Sequence, residues 1–304
     1  MNGFSLLLPD FAMILAGFVM IRTKWLSRSF WDGCEKLVYF VLLPALLIAA
    51  ITRSDFTGSG QTALMLQVAL LAMGLTALIA VATRWIPELD RKDWASGIQC
   101  AFRFNAYVAF AVATRAAGSE GLALTAMIVG FTVPLANILA VTFLANTFNP
   151  VKLFKELAKN PLILATIVGI VANLLGFTPP ELVYAVLDRA SSASLAMGLL
   201  CVGAGLSFQG IRSVPNLWQA AGLTTIKLML MPVMTWGLCD LFGVTGVQRD
   251  MAILFAAMPT ATSAYILASR MGGNGPLAAG LVSLSTLASM ATITFWFALV
   301  RSVG

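Results

Sequence analysis

Ala257-Met258-Pro259-Thr260-Ala261-Thr262-Ser263-Ala264-Tyr265 puts a proline and a run of hydroxyl side chains into an otherwise apolar stretch. Proline removes a backbone donor and clashes with the preceding turn, so a helix breaks or kinks there. Thr260, Thr262 and Ser263 then have two uses. They re-bond carbonyls that the proline frees, as in a kinked packing helix, or they line a polar site. In lipid, non-helical backbone is tolerated only where protein or a water-filled cavity covers it.

Roughly 150 residues earlier the chain carries a faint echo of this half, as internal repeats do. Pro9 and Gly17 recur as Pro161 and Gly169, and Glu35-Lys36 as Asp188-Arg189. Gly118, Gly121 and Thr132 recur as Gly272, Gly275 and Thr286, and the same offset sets Asn105 opposite Pro259. The partner stretch is Ala101-Phe102-Arg103-Phe104-Asn105-Ala106-Tyr107-Val108, with an arginine and an asparagine inside apolar sequence. An unpaired charge at that depth costs several kcal/mol, so Arg103 either meets a partner or cavity, or snorkels to the inner face.

Composition places these stretches in a membrane. Of 304 residues 59% are hydrophobic and 11% charged, with a mean hydropathy of +0.90. Soluble domains carry roughly 25% charged residues. Ten apolar runs are long enough to read as spans: about 4–21, 37–52, 62–83, 95–115, 121–146, 161–176, 190–209, 216–241, 251–269 and 277–300. Five fall in each half, so a chain entering the first half from outside runs through the second in the opposite sense, and the repeats are inverted. The organisation expected is a first repeat over 1–146, a cytoplasmic connector over 147–160 and a second repeat over 161–304. The connector, with its lysines and Glu156, is read as a short amphipathic surface helix or as a solvated basic linker.

Charge location gives the orientation. Arg22, Lys24, Arg28, Lys36, Arg84, Arg91, Lys92, Lys152, Lys155, Lys159, Arg212 and Arg270 fall in alternate loops, and Arg53, Arg115, Arg189, Arg249 and Arg301 at the opposite ends. The positive-inside rule then sets both termini outside, in a multi-pass protein of the cell (plasma or inner) membrane. The formal charge of +6 is thus an orientation signal and not a nucleic-acid footprint.

Several classes fall away. Histidine is missing, and with it the usual general base and the commonest metal ligand. Cys34, Cys100, Cys201 and Cys239 lack metal-ligand spacing and read as buried apolar residues. There is no P-loop, no nucleophile elbow and no carboxylate cluster for calcium or magnesium. No enzyme, cofactor or metal site is expected.

Three further stretches make the chain recognisable: Val41-Leu42-Leu43-Pro44-Ala45-Leu46-Leu47, Lys227-Leu228-Met229-Leu230-Met231-Pro232, and Met258-Pro259 through Ala268. With Arg103–Asn105 and Gly118-Ser119-Glu120-Gly121, they resemble the auxin efflux carrier family in its bacterial branch, along essentially the whole chain. The resemblance implies an all-α integral membrane fold of ten transmembrane helices in two inverted five-helix repeats. Broken helices 4 and 9 would cross near the midplane, as in bile-acid symporters and sodium–proton antiporters. It also implies a scaffold domain of spans 1, 2, 6 and 7 facing a transport domain of spans 3–5 and 8–10. The implied activity is secondary transport of a small organic anion, a mono- or dicarboxylate such as malate or malonate or an auxin-like acid, by an elevator motion. Coupling to protons and drive by the substrate gradient are both open. A channel or receptor-like protein without carrier activity is the competing class, and homodimerisation is an expectation of the family alone. The chain departs from the family where Asn105–Thr114 holds neither glycine nor proline, where Tyr107 and Phe110 are bulky, and at Asp10.

On this reading Arg103, Asn105, Pro259, Thr260, Thr262 and Ser263 bind substrate, helped by half-helix N-termini. Lys227 and Asp10 are the intramembrane charge and coupling candidates, Lys227 standing either as a structural cation between crossing helices or as a substrate ligand. Asp10, Asp188 and Asp240 also read as outer-surface structural residues, with Asp188 and Arg189 forming an interfacial ion pair at a helix start. Pro44, Pro134 and Pro232 are helix-break or packing residues.

Overall fold

Apolar runs separated by short polar loops fold into helices because a chain in lipid must satisfy its backbone internally. The computed structural model describes residues 3–54, 60–85, 89–145, 158–207 and 217–303, without the side chains of 3–6 and 303. Its helices are α1 (Gly3–Arg22), α2 (Arg28–Thr52), α3 (Gly60–Trp85), α4 (Arg91–Ile98), α5 (Ala106–Leu144) and α6 (Pro161–Leu174). They continue with α7 (Glu181–Ala204), α8 (Leu217–Phe242), α9 (Gly246–Ala256), α10 (Ser263–Arg270) and α11 (Gly275–Val303). No strand occurs among the described residues. Six stretches are long and apolar enough to cross a membrane: α2, α3, Arg91–Leu144, α7, α8 and α11 up to Ser302. The architecture is all-α and consistent with an integral membrane protein. Most of the connector expected over 147–160 lies outside the described residues.

Two of the expected spans, 95–115 and 251–269, are interrupted: helix stops after Ala101 and resumes at Ala106, and stops after Ala256 and resumes at Ser263. The first interruption needs neither glycine nor proline. α5 is itself two limbs, joined at Ala117 (φ −142°) and Gly118 (φ 59°). A Cβ on Gly121 would strike the Ala113 carbonyl, a residue pair about 12 Å apart along a straight helix, so the chain folds back here. Gly272, the repeat partner of Gly118, also has positive φ (75°) and follows α10.

Packing sorts the helices. α1 lies along α7, while α2 packs on α6 and α7. α3 packs on α8, α5 and α9, with α10 against α11. At the α1–α7 contact a Cβ on Gly17 would meet the Leu200 backbone, and one on Gly203 the Ile14 backbone. Lipid tails are as apolar as leucine, so such close backbone approach is what joins helices in a bilayer.

The prolines singled out in the sequence do not stop their helices. Pro44 follows a π-helical turn, Val38–Leu42, and Pro232 follows another, Ile226–Leu230. Proline cannot bond the carbonyl four residues back. For Pro232 that carbonyl is Leu228, which accepts instead from Trp296 Nε1 of α11 at 2.9 Å. Pro134 lies inside the second limb of α5, which continues through it.

One expected pair is corrected. Asp188 does not pair with its neighbour Arg189 at a helix start. It lies inside α7, and both its oxygens bind Arg53 beyond the end of α2, at 2.6 and 2.9 Å. Successive helical residues point about 100° apart, whereas Arg53 also stacks on Tyr184, one turn before Asp188.

The α1–α7 contact leads to a simple expectation. Gly203→Leu collides with backbone and abolishes monodisperse protein in detergent, whereas Gly74→Ala and Gly237→Ala, which face open space, leave it intact. Size-exclusion profiles of the three variants check this, and a normal profile for Gly203→Leu contradicts it.

Candidate functional site

An interrupted helix exposes N–H groups on one side of the gap and carbonyls on the other. Here the two gaps supply each other. Asn105 N–H donates to the Pro259 carbonyl at 2.8 Å, and Thr260 Oγ1 donates to the Cys100 carbonyl at 2.7 Å. The Thr260 N–H donates to Ser285 Oγ of α11 at 3.2 Å. Asn105 also caps α5, its Oδ1 accepting from the N–H groups of Tyr107 (3.1 Å) and Val108 (3.3 Å). That cap replaces the proline missing from this half, since asparagine is among the best N-cap residues.

After these bonds two donors are left over. Asn105 is buried and its Nδ2 has no partner among the described residues. Arg103, 8% exposed, does not reach the surface; one guanidinium nitrogen, Nη2, donates to Ser263 Oγ at 2.9 Å, and Nη1 is buried without a partner. Buried polar groups are nearly always bonded, so these two donors stand out as unsatisfied among the described residues. Both atoms are donors, and the group that suits them is an anion.

Lys227 lies elsewhere at the same crossing. It is fully buried, and its Nζ donates to the Ala256 carbonyl (2.9 Å), with Met231 Sδ at 3.2 Å. Ala256 ends α9, so the ammonium sits on a helix C-terminus, where the macrodipole favours a cation. Thr262 precedes α10 without capping it, close to Gly205 at the end of α7, and Ser263 is exposed beside Arg103. The structure thus brings Arg103, Asn105, Pro259, Thr260 and Ser263 together and places Lys227 on a neighbouring helix end. Asp10 is remote from them, in an ion pair with Arg115 (3.4 Å).

Sequence reasoning passed over three contributors. Ser285 fixes Thr260, and Gly198 receives the ring of Tyr107, which a Cβ would strike. Arg28 reaches from α2 to Tyr265 Oη of α10 (3.2 Å) and to the Ala204 carbonyl of α7 (3.3 Å). Arg28 and Tyr265 are 237 positions apart, so only a repeat-aware pairing of helices would have found them.

Comparison with known proteins bears on the class. Residues 147–297 match the family model described as Membrane transport protein. The chain is 22% identical over 299 residues to an "Uncharacterized transporter" of Methanothermobacter thermautotrophicus, covering 97% of this chain and 98% of the relative. It is 25% identical over 317 residues to a "Putative malonate transporter" of Rhizobium meliloti, covering 98% and 96%. Residues 147–297 are thus similar to this membrane transport family, the auxin efflux carrier family that the chain's motifs resemble.

The crossing is testable by stability alone. Thr260→Val keeps shape but leaves the buried Cys100 carbonyl unpaired, at a cost of about 1–3 kcal/mol. Thr235→Val removes only a bond back to its own helix, to the Met231 carbonyl. Thermal melts in detergent should show a clear fall for the first and little change for the second. Equal melts would contradict the bond across the gaps.

Proposed function

We propose that the protein is a secondary transporter that moves a small organic carboxylate across the cell membrane by alternating access. The observation that carries this reading is the pair of buried, unpartnered donors, Asn105 Nδ2 and Arg103 Nη1, at the meeting of two interrupted helices. Half-helix N-termini at α5 and α10 add partial positive charge, which suits an anion in a low-dielectric site. The relative described as a malonate transporter supports a dicarboxylate as the first substrate to try.

The path through the membrane in this proposal is ten segments in two inverted repeats, with α4 plus the first limb of α5, and α9 plus α10, as the crossing pair. α1, α2, α6 and α7 form the scaffold; α3, α4, α5 and α8–α11 form the moving unit. The packing of α1 on α7 and of α2 on α6 and α7 supports that division. The basic residues at the facing ends of α1 and α2 (Arg22, Lys24, Arg28) and of α3 and α4 (Arg84, Arg91, Lys92) favour the inside, with both termini outside. Lys227 acts as a fixed cation that holds the end of α9. Arg103, Asn105 and Ser263 hold the substrate carboxylate.

Uptake of labelled malonate into proteoliposomes, with and without an imposed pH gradient, tests the proposal. Saturable uptake with counterflow is expected, and it separates a carrier from a channel. Arg103→Gln should raise KM about tenfold or more, as loss of a charge-assisted hydrogen bond of about 1.5–3 kcal/mol implies. Absence of saturable transport for a panel of organic anions, in protein shown to be folded, would defeat it.

A further inference from the structure

At the far end of the first limb of α5, away from the crossing, lies a cavity of about 370 Å³. α1 and α7 make one wall through Met13, Asp10, Ser192 and Leu195, and α5 makes the other through Thr114 and Arg115. The volume lies within the range of small-molecule pockets, roughly 300–1,000 Å³. Its two walls belong to the two packed groups of helices, and the limb of α5 that lines it begins at Asn105. At 1.5 Å per residue, Arg115 stands about 15 Å along that limb from Asn105.

Only two charged side chains line the cavity, and they face each other. Arg115 Nε is 3.4 Å from Asp10 Oδ2; Arg115 is 43% exposed and Asp10 14%. The hydroxyls of the lining are already spent as donors, Thr114 on the Phe110 carbonyl (2.8 Å) and Ser192 on the Asp188 carbonyl (3.0 Å). Arg115 is therefore the cationic donor in the lining, and it faces a carboxylate of this chain in an ion pair whose Asp10 Oδ2 has no hydrogen-bond partner among the described residues, leaving the five-donor fork open to a better-placed acceptor.

The geometry points to Arg115 as an outer capture residue for the substrate carboxylate, with Asp10 as the built-in ligand that the substrate displaces. Exchange of one carboxylate for another on a guanidinium conserves the ion pair, and a bidentate newcomer adds charge-assisted hydrogen bonds to it. A half-exposed ion pair is weak, so the exchange is easily driven. Displacing Asp10 also removes the ion pair that links this limb of α5 to α1. The inference rests on the carboxylate-transport reading above and extends it to the entrance.

The test is the initial rate of labelled malonate uptake by proteoliposomes bearing the wild type, Asp10→Asn, Arg115→Gln or both, scaled to folded protein. Asp10→Asn should lower KM by about threefold, since a weak internal competitor is removed. Arg115→Gln should raise KM about tenfold, and the double variant should match Arg115→Gln. A pair that only braces the fold would move both single variants in the same direction, which overturns the inference, as does a pair whose loss changes nothing. Should Arg115→Gln fail to fold, Thr114→Cys provides a second reading, because the four native cysteines are buried. Malonate should slow its modification by a membrane-impermeant maleimide in the wild-type background; unslowed modification overturns the inference. Uptake that responds to Arg103→Gln but meets either overturning result leaves the main reading standing, whereas no organic-anion uptake by the wild type removes both.

Discussion

One backbone hydrogen bond, from the Asn105 N–H to the Pro259 carbonyl, joins the two places where the helices give out. Its importance follows from the solvent. A polar backbone group buried without a partner costs several kcal/mol in lipid, and two interrupted helices expose many. The gaps are tolerated because each closes the other, with Thr260 on the Cys100 carbonyl, Ser285 on the Thr260 N–H and Lys227 on the Ala256 carbonyl. Once the backbone is satisfied this way, the donors that remain, Asn105 Nδ2 and Arg103 Nη1, are side-chain groups. The fold provides the gap, and the residues left over define what fits in it.

The two halves reach this arrangement by different chemistry. The second half breaks its helix at a proline, the first by an asparagine cap with no proline at all. The offset that sets Asn105 opposite Pro259 also sets Met73 of α3 opposite Lys227 of α8, and both are fully buried. At that offset the second half holds the end of its interrupted helix with an ammonium where the first half has a thioether. The side chains at the two gaps thus differ, and of the two gaps only the first, Phe102–Asn105, carries an arginine.

Much of this was legible in the sequence where the signal was local. The long apolar runs and the proline among hydroxyls are each visible in a short window, and the glycines Gly118 and Gly272, both with positive φ, stand out in the sequence as a match at a constant offset. The break at Phe102–Asn105 was less so, because it is imposed by capping and by the partner gap and not by residues that refuse a helix. Long-range pairs were not legible. Asp188 reads as the neighbour of Arg189 but binds Arg53, and the sequence offers no partner for Asp10, which faces Arg115. Pairs more than a hundred positions apart leave no periodic trace, so adjacency in sequence is a poor guide to them.

An experimental structure of the protein in lipid nanodiscs with saturating malonate tests the account most directly. The account predicts a carboxylate within hydrogen-bond distance of Asn105 Nδ2 and the Arg103 guanidinium, with the Asn105–Pro259 bond intact. A crossing whose Asn105 and Arg103 donors are filled by protein groups, with malonate bound elsewhere, would contradict it.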